Sequence, residues 1–226
     1  MLAKFDHAVC CGEMEELEVA VGIQLLPNHR QIVENGFRTQ VHGIGDAVGA
    51  LALREHAAAA HAALDAGVGK LDTIEGYGRY LLGMYGFRQP LETALAGIVL
   101  PACLAGWRSR PLAPAIHADL ADLGHAAVAA PPAALPYVGD PSSLLGVLYV
   151  LEGASLGARL LYRRARKLGM TERRGARHLA LQAQGAISWR RFLALLEDAP
   201  AFDPNGAADA ALATFAFAHS AVAELR

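Results

Sequence analysis

Apolar residues recur every three or four positions along most of the chain, the period of a helix buried on one face. In residues 46–65, Leu53, Ala57, Ala60, His61 and Leu64 share a face, Asp46 is placed to cap the start, and Gly67 and Gly69 end the run. A second helix is predicted from Asp72, with Asp72 and Glu75 at capping-box spacing and Tyr77, Tyr80, Leu81, Met84, Tyr85 and Arg88 following. Pro90 marks a break or kink, and further helix is expected over 91–107. Ile116, Leu120 and Leu123 predict a short helix that stops at Gly124, with Asp119 and Asp122 read as solvated. Residues 129–143, with four prolines, form the clearest loop. Beyond it a long helix, capped by Ser142 or Ser143, is expected to run to Leu168. Two more close the chain, over 185–197 (Trp189, Phe192, Leu193, Leu196) and 207–225 (Leu212, Phe215, His219). No segment alternates as a strand does, so the predicted fold is all-α.

The stretch 148–161 of the long helix departs from the rest. It is apolar enough for burial, yet carries Gly153 and Gly157 four apart, on one face. Each interior glycine costs a helix about 1 kcal/mol relative to alanine. Two on one face imply a backbone bared for close approach, or a bend.

Residues 1–45 lack this periodicity. They read as an N-terminal extension, flexible or arising from a start codon set too far upstream, ahead of one helical domain at 46–226. His7, Cys10 and Cys11 lack companions at zinc spacing. Three cysteines, two of them adjacent, make no disulfide framework and favour a reducing compartment. The start shows no secretory signal, and no apolar run reaches the roughly 18 residues of a bilayer span. A cytoplasmic protein is expected, with no membrane association. The net charge of −2 gives no overall field for nucleic acid.

There is no P-loop, G-x-S-x-G elbow, H-E-x-x-H or C-x-x-C, and Gly76, Gly78 and Gly83 do not fit a dinucleotide fingerprint. What remains is an early histidine on an apolar helix face and a late helix bearing two glycines. Two such helices suit a flat apolar ligand such as haem, with an axial histidine on one side and cations at the propionate rim.

The central motif Leu148-Tyr149-Val150-Leu151-Glu152-Gly153, followed by Leu156-Gly157, resembles the distal helix of haem oxygenases, especially the bacterial branch associated with bacteriophytochromes. Leu53-Arg54 with His61 resembles the proximal helix. Arg110-Pro111-Leu112, Asp119-Leu120 and Leu123-Gly124 resemble the middle segment, and Trp189 to Phe192 with Phe215 the C-terminal part. The resemblance covers residues 46–225. It implies a multihelical fold with haem b, both substrate and cofactor, between a proximal and a distal helix.

By position, His61 would ligate the iron. Gly153 and Gly157 would let the distal helix approach the haem and flex. Arg54 and Arg190 would pair with propionates, and Tyr149 would add a hydrogen bond or simply pack. Two positions depart from the family pattern: Ala154 stands where an aspartate is common, and Ala57 where a threonine is common. The first leaves proton delivery to Ser155, backbone carbonyls or water, with Glu152 on the neighbouring face. The implied reaction opens haem to biliverdin with release of CO and ferrous iron. Electrons would come from an external donor of the ferredoxin or flavodoxin type; Arg163–Lys167 with Arg173, Arg174 and Arg177 either dock it or simply complement the helix dipole and solubilise the surface. A bacteriophytochrome would be one acceptor of the product. The rivals are a haem-binding carrier or sensor without turnover, and a helical interaction domain without haem.

Overall fold

The computed structural model describes residue 60 and residues 71–104, 107–108, 110–127, 135–184, 186–197 and 203–223. These form seven α-helices: α1 (Ile74–Ala96), α2 (Ala113–Asp122), α3 (Pro141–Gly153), α4 (Ser155–Lys167), α5 (Arg177–Ala183), α6 (Ala186–Glu197) and α7 (Pro204–Ala223). A 3-10 turn, Ala102–Leu104, lies between α1 and α2. Among the described residues there is no strand, only isolated bridges from Thr171 to Arg174 and Gly175. The fold is all-α, as the periodicity predicts. The first predicted helix, at 46–65, lies outside the described residues except for Ala60, which is helical.

Caps set the helix starts, and two differ from the sequence reading. Thr73, not Asp72, caps α1, its hydroxyl accepting the Gly76 N–H at 3.0 Å. Asp140 caps α3 by accepting from the N–H groups of Ser142 and Ser143 (2.9 and 3.0 Å) and from the Ser143 hydroxyl. Asp followed by Pro is the better start signal, because the carboxylate takes the free donors and proline suits the first helical position. Pro90 does not end α1, which continues to Ala96. Phe87 and Leu91 are buried on either side, and the Arg88–Glu92 pair spans the turn the proline weakens. The helix expected over 91–107 stops at Ala96 instead.

α1 joins two clusters. Its first half places Tyr77, Tyr80 and Leu81 against Leu112, Ile116 and Leu120 of the α2 region and Leu179 of α5. Its second half places Phe87 and Leu91 among Leu144, Leu145, Val147, Leu148 and Leu151 of α3, Trp189, Phe192 and Leu196 of α6, and Phe215 and Phe217 of α7. Burying each such side chain stabilises the fold by about 2 kcal/mol. α3 packs chiefly on α7. Their contact is so close that a Cβ on Gly146 would overlap the Ala207 carbonyl. This glycine, unlike those at 153 and 157, is required by backbone approach. On α7, His219 points to solvent rather than into the core.

Taken as one stretch, Pro141–Lys167 is long and apolar enough for a bilayer span, contrary to the sequence reading. Its most apolar window is 53 % buried within the fold, and the helix breaks at Ala154. Its buried half is the face that packs against α6 and α7.

Candidate functional site: the break in the distal helix

The long central helix is not continuous. α3 ends at Gly153, Ala154 forms a turn, and α4 begins at Ser155. The Ala154 N–H still reaches the Val150 carbonyl at 3.3 Å. The next carbonyl, Leu151, accepts a 3.0 Å hydrogen bond from Arg88 Nη2 of α1. A glycine at the end of α3 weakens the helix where a side chain competes for its carbonyl.

The two glycines face different surroundings. A Cβ on Gly153 would stand 3.6 Å from the Trp189 ring, an ordinary contact, so Trp189 covers this part of the backbone. A Cβ on Gly157 would meet no described atom within 4 Å. Tyr149 is half-buried and packs edge-on against Trp189, with centroids 5.2 Å apart. Trp189 stacks on Phe192, which contacts Trp107, so three aromatic rings stand behind the break. Ser155 is 6 % exposed and its hydroxyl has no protein partner. Trp107 Nε1 is likewise buried and unpartnered. A buried polar atom left unpaired costs about 1–3 kcal/mol, so such atoms point to a water or a ligand.

Arg190 is exposed on α6, one residue past buried Trp189. Arg54, Ala57 and His61 lie outside the described residues. Ala60, which precedes His61, packs against the α3–α6–α7 cluster. Among the described residues no three His, Cys, Asp or Glu side chains converge as a metal site.

Charge near the break is concentrated on α1. Arg88 is 2 % exposed, with Nη1 3.4 Å from Glu92 Oε1. Glu92 accepts the N–H groups of Leu112 and Ala113 at 2.9–3.0 Å, capping α2. Burial raises the Glu152 carboxyl above the usual range, while Arg88 and Arg110 pull it back.

A second polar group, which the sequence reading missed, lies between α1, α2 and α5. Asp119 and His178 are both 0 % exposed. Asp119 Oδ2 accepts from the His178 backbone (3.1 Å) and from its Nδ1 (2.8 Å), while His178 Nε2 lies 3.3 Å from the Tyr80 hydroxyl. Burial dominates at His178 and holds its pKa below the usual value, so the ring is neutral. Neutral imidazole protonated at Nδ1 donates to Asp119 and accepts from Tyr80, satisfying all three groups. Burial alone would raise the Asp119 pKa, but the hydrogen bonds from His178 and Arg177 outweigh it and keep the carboxylate ionised. Arg177 also bonds Asp122, whose other donor is the Gly175 N–H. The two aspartates are therefore anchors of α5, not solvated groups. Arg177 is spent on them rather than free on the basic surface, where Arg166, Lys167, Arg173 and Arg174 are exposed.

No protein-family model matches the chain. The chain is 35 % identical over 124 residues to haem oxygenase PigA of Pseudomonas aeruginosa, covering 54 % of this chain and 63 % of that one. It is 34 % identical over 112 residues to a haem oxygenase of Xanthomonas campestris pv. campestris, covering 50 % of this chain and 64 % of that one. The matched parts thus span just under two thirds of each curated relative. The fold is similar to the crystal structures of NO- and CO-bound haem oxygenase from Neisseria meningitidis, with a TM-score of 0.64 and 26 % identity over 78 % of this chain and 91 % of that one. Sequence and fold are thus both similar to haem oxygenases, in agreement with the motif at the helix break.

Proposed function

We propose that the chain is a haem oxygenase, opening haem b to biliverdin with O2 and reducing equivalents and releasing CO and ferrous iron. The observation that carries this reading is the break at Ala154, with the bare face of Gly157 beside a buried, unpartnered Ser155 hydroxyl. These residues fit a flat apolar group: Gly157 leaves room, and Trp189 and Tyr149 supply an apolar flank. Bound haem supplies the iron that takes up O2 and the macrocycle that is oxidised.

The chain's own residues bind, orient and move protons. His61 would ligate the iron, and Gly153, Ser155 and Gly157 would line the slot. Arg54 and Arg190 would pair with the propionates and so orient the ring. Tyr149, braced by Trp189, borders the distal wall. With Ala154 in place of a carboxylate, the buried, unpartnered Ser155 Oγ would hold a water and pass on its proton. Glu152, its carboxyl raised by burial, lies three residues before Ser155 as a reserve proton source.

The domain spans 46–226, preceded by the extension 1–45, and works in the cytoplasm. A ferredoxin or flavodoxin supplies electrons, docking its acidic surface on Arg166, Lys167, Arg173 and Arg174. A bacteriophytochrome is a suitable acceptor for the biliverdin.

The test is a haemin titration followed by ascorbate, or ferredoxin with its reductase, in air. The expected result is a one-to-one Soret band, lost in His61→Ala, that gives way to bilin absorbance. A stable Soret band without bilin would make the protein a carrier or sensor. Failure to bind haemin would leave a helical interaction domain.

A further inference from the structure

The Arg88 guanidinium is costly where it stands. Taking a cation out of water is expensive unless every donor is met, and Arg88 Nε is buried without a partner. What it does make is specific. Nη2 holds the Leu151 carbonyl, and Nη1 faces Glu92. Glu92 is in turn fixed by the first N–H groups of α2, so the guanidinium is held at both ends.

The held carbonyl sits at a special place. In an unbroken helix the Leu151 carbonyl would accept from the Ser155 N–H, four residues on. Ser155 instead opens α4, and Arg88 takes the acceptor. On one side of the break, α3 is locked by its buried leucines and by Gly146 against Ala207. On the other side α4 packs along α5, with Ala165 buried and Leu161, Tyr162 and Leu168 against the second cluster. The break joins these two separately packed helices, and Ser155 and Gly157 lie in the first turn beyond it.

We propose that Arg88, braced by Glu92, is a positioning residue that fixes the break in the distal helix and so sets the wall of the haem slot. This rests on the haem oxygenase reading, although the break itself is testable without haem. Arginine is suited to the task because its planar fork meets the carbonyl and the carboxylate together. Lysine keeps the charge but lacks the fork.

The experiment is amide hydrogen exchange on the full apo chain, comparing wild type with Arg88→Met, Arg88→Lys and Glu92→Gln. In Arg88→Met, exchange at residues 152–158 should rise at least tenfold while residues 144–150 stay within twofold of wild type. Arg88→Lys should fall between the two. If Arg88→Met fails to fold, Glu92→Gln, which keeps a carbonyl acceptor for α2, should show the same local pattern. In haem-loaded protein, release to apomyoglobin should be about tenfold faster in Arg88→Met. A uniform rise in exchange, no change at 152–158, or unchanged haem release overturns the proposal. Wild type that takes up no haemin would instead defeat the haem oxygenase reading, while the exchange data still judge the clamp.

Discussion

Two polar regions of this protein are built on opposite principles. Between α1, α2 and α5, Asp119, His178 and Tyr80 are buried together and the side-chain groups meet one another. At the α3–α4 break, Ser155 is buried with no partner and Gly157 faces no described atom within 4 Å. A closed network rigidifies a core, whereas unmet polar atoms and bare backbone store capacity for something that arrives later. The first region is scaffold; the second is the candidate site. Burial of polar groups alone does not tell them apart. The count of satisfied atoms does.

The largest expected effect breaks the scaffold. Asp119→Ala strips His178 and Arg177 of their shared acceptor inside the fold. It should lower unfolding stability by about 3 kcal/mol or more, read from urea denaturation of the apo protein. Next comes the site. Gly157→Phe should weaken haemin binding about a hundredfold, roughly 3 kcal/mol, with apo stability unchanged or slightly raised. A large loss of stability in Gly157→Phe would mean that the space beside it belongs to the core.

A smaller effect separates the regions by pH. His178 titrates below its usual 6.5 in the folded chain, because burial disfavours the cation. The unfolded imidazole therefore takes up its proton first, and stability present above about pH 6.5 is lost as pH falls through that value. Asp119, held below its usual 3.8, keeps its contribution until far lower pH. Between pH 7 and 5 the stability advantage of wild type over His178→Gln should shrink, by at most about 1.4 kcal/mol per pH unit. A constant advantage would mean that burial does not shift His178, and an advantage that grows as pH falls would mean that the ring is charged in the fold. The smallest effect is at the rim: Arg190→Ala should speed haem release about threefold with no change in stability, as for an exposed ion pair worth under about 1 kcal/mol.

Much of this was legible in the residues. Helical period gave the fold class and the core face of α6, because one-sided burial writes itself into spacing; of the face predicted for α7 only Phe215 is buried. The distal motif was legible because two glycines in an apolar helix lack a local reason. The rest depended on contacts between distant segments. α5 is seven residues long and carries no clear period, so it passed unread. Asp119 and Asp122 looked solvated because their partners, Arg177 and His178, lie more than fifty residues away. The break at Ala154 was hidden too, since Gly153 permits a bend but Arg88, on another helix, takes the carbonyl. Gly146 went unnoticed because its need arises only from Ala207 across the packing with α7.

The most direct measurement is CO released per haem consumed. Haem-loaded protein would be given ferredoxin, its reductase and NADPH in air, with catalase present, and CO counted by gas chromatography. One CO and one bilin per haem is the predicted result, with both products absent in His61→Ala. Haem that persists, or bleaches without CO, would contradict the account.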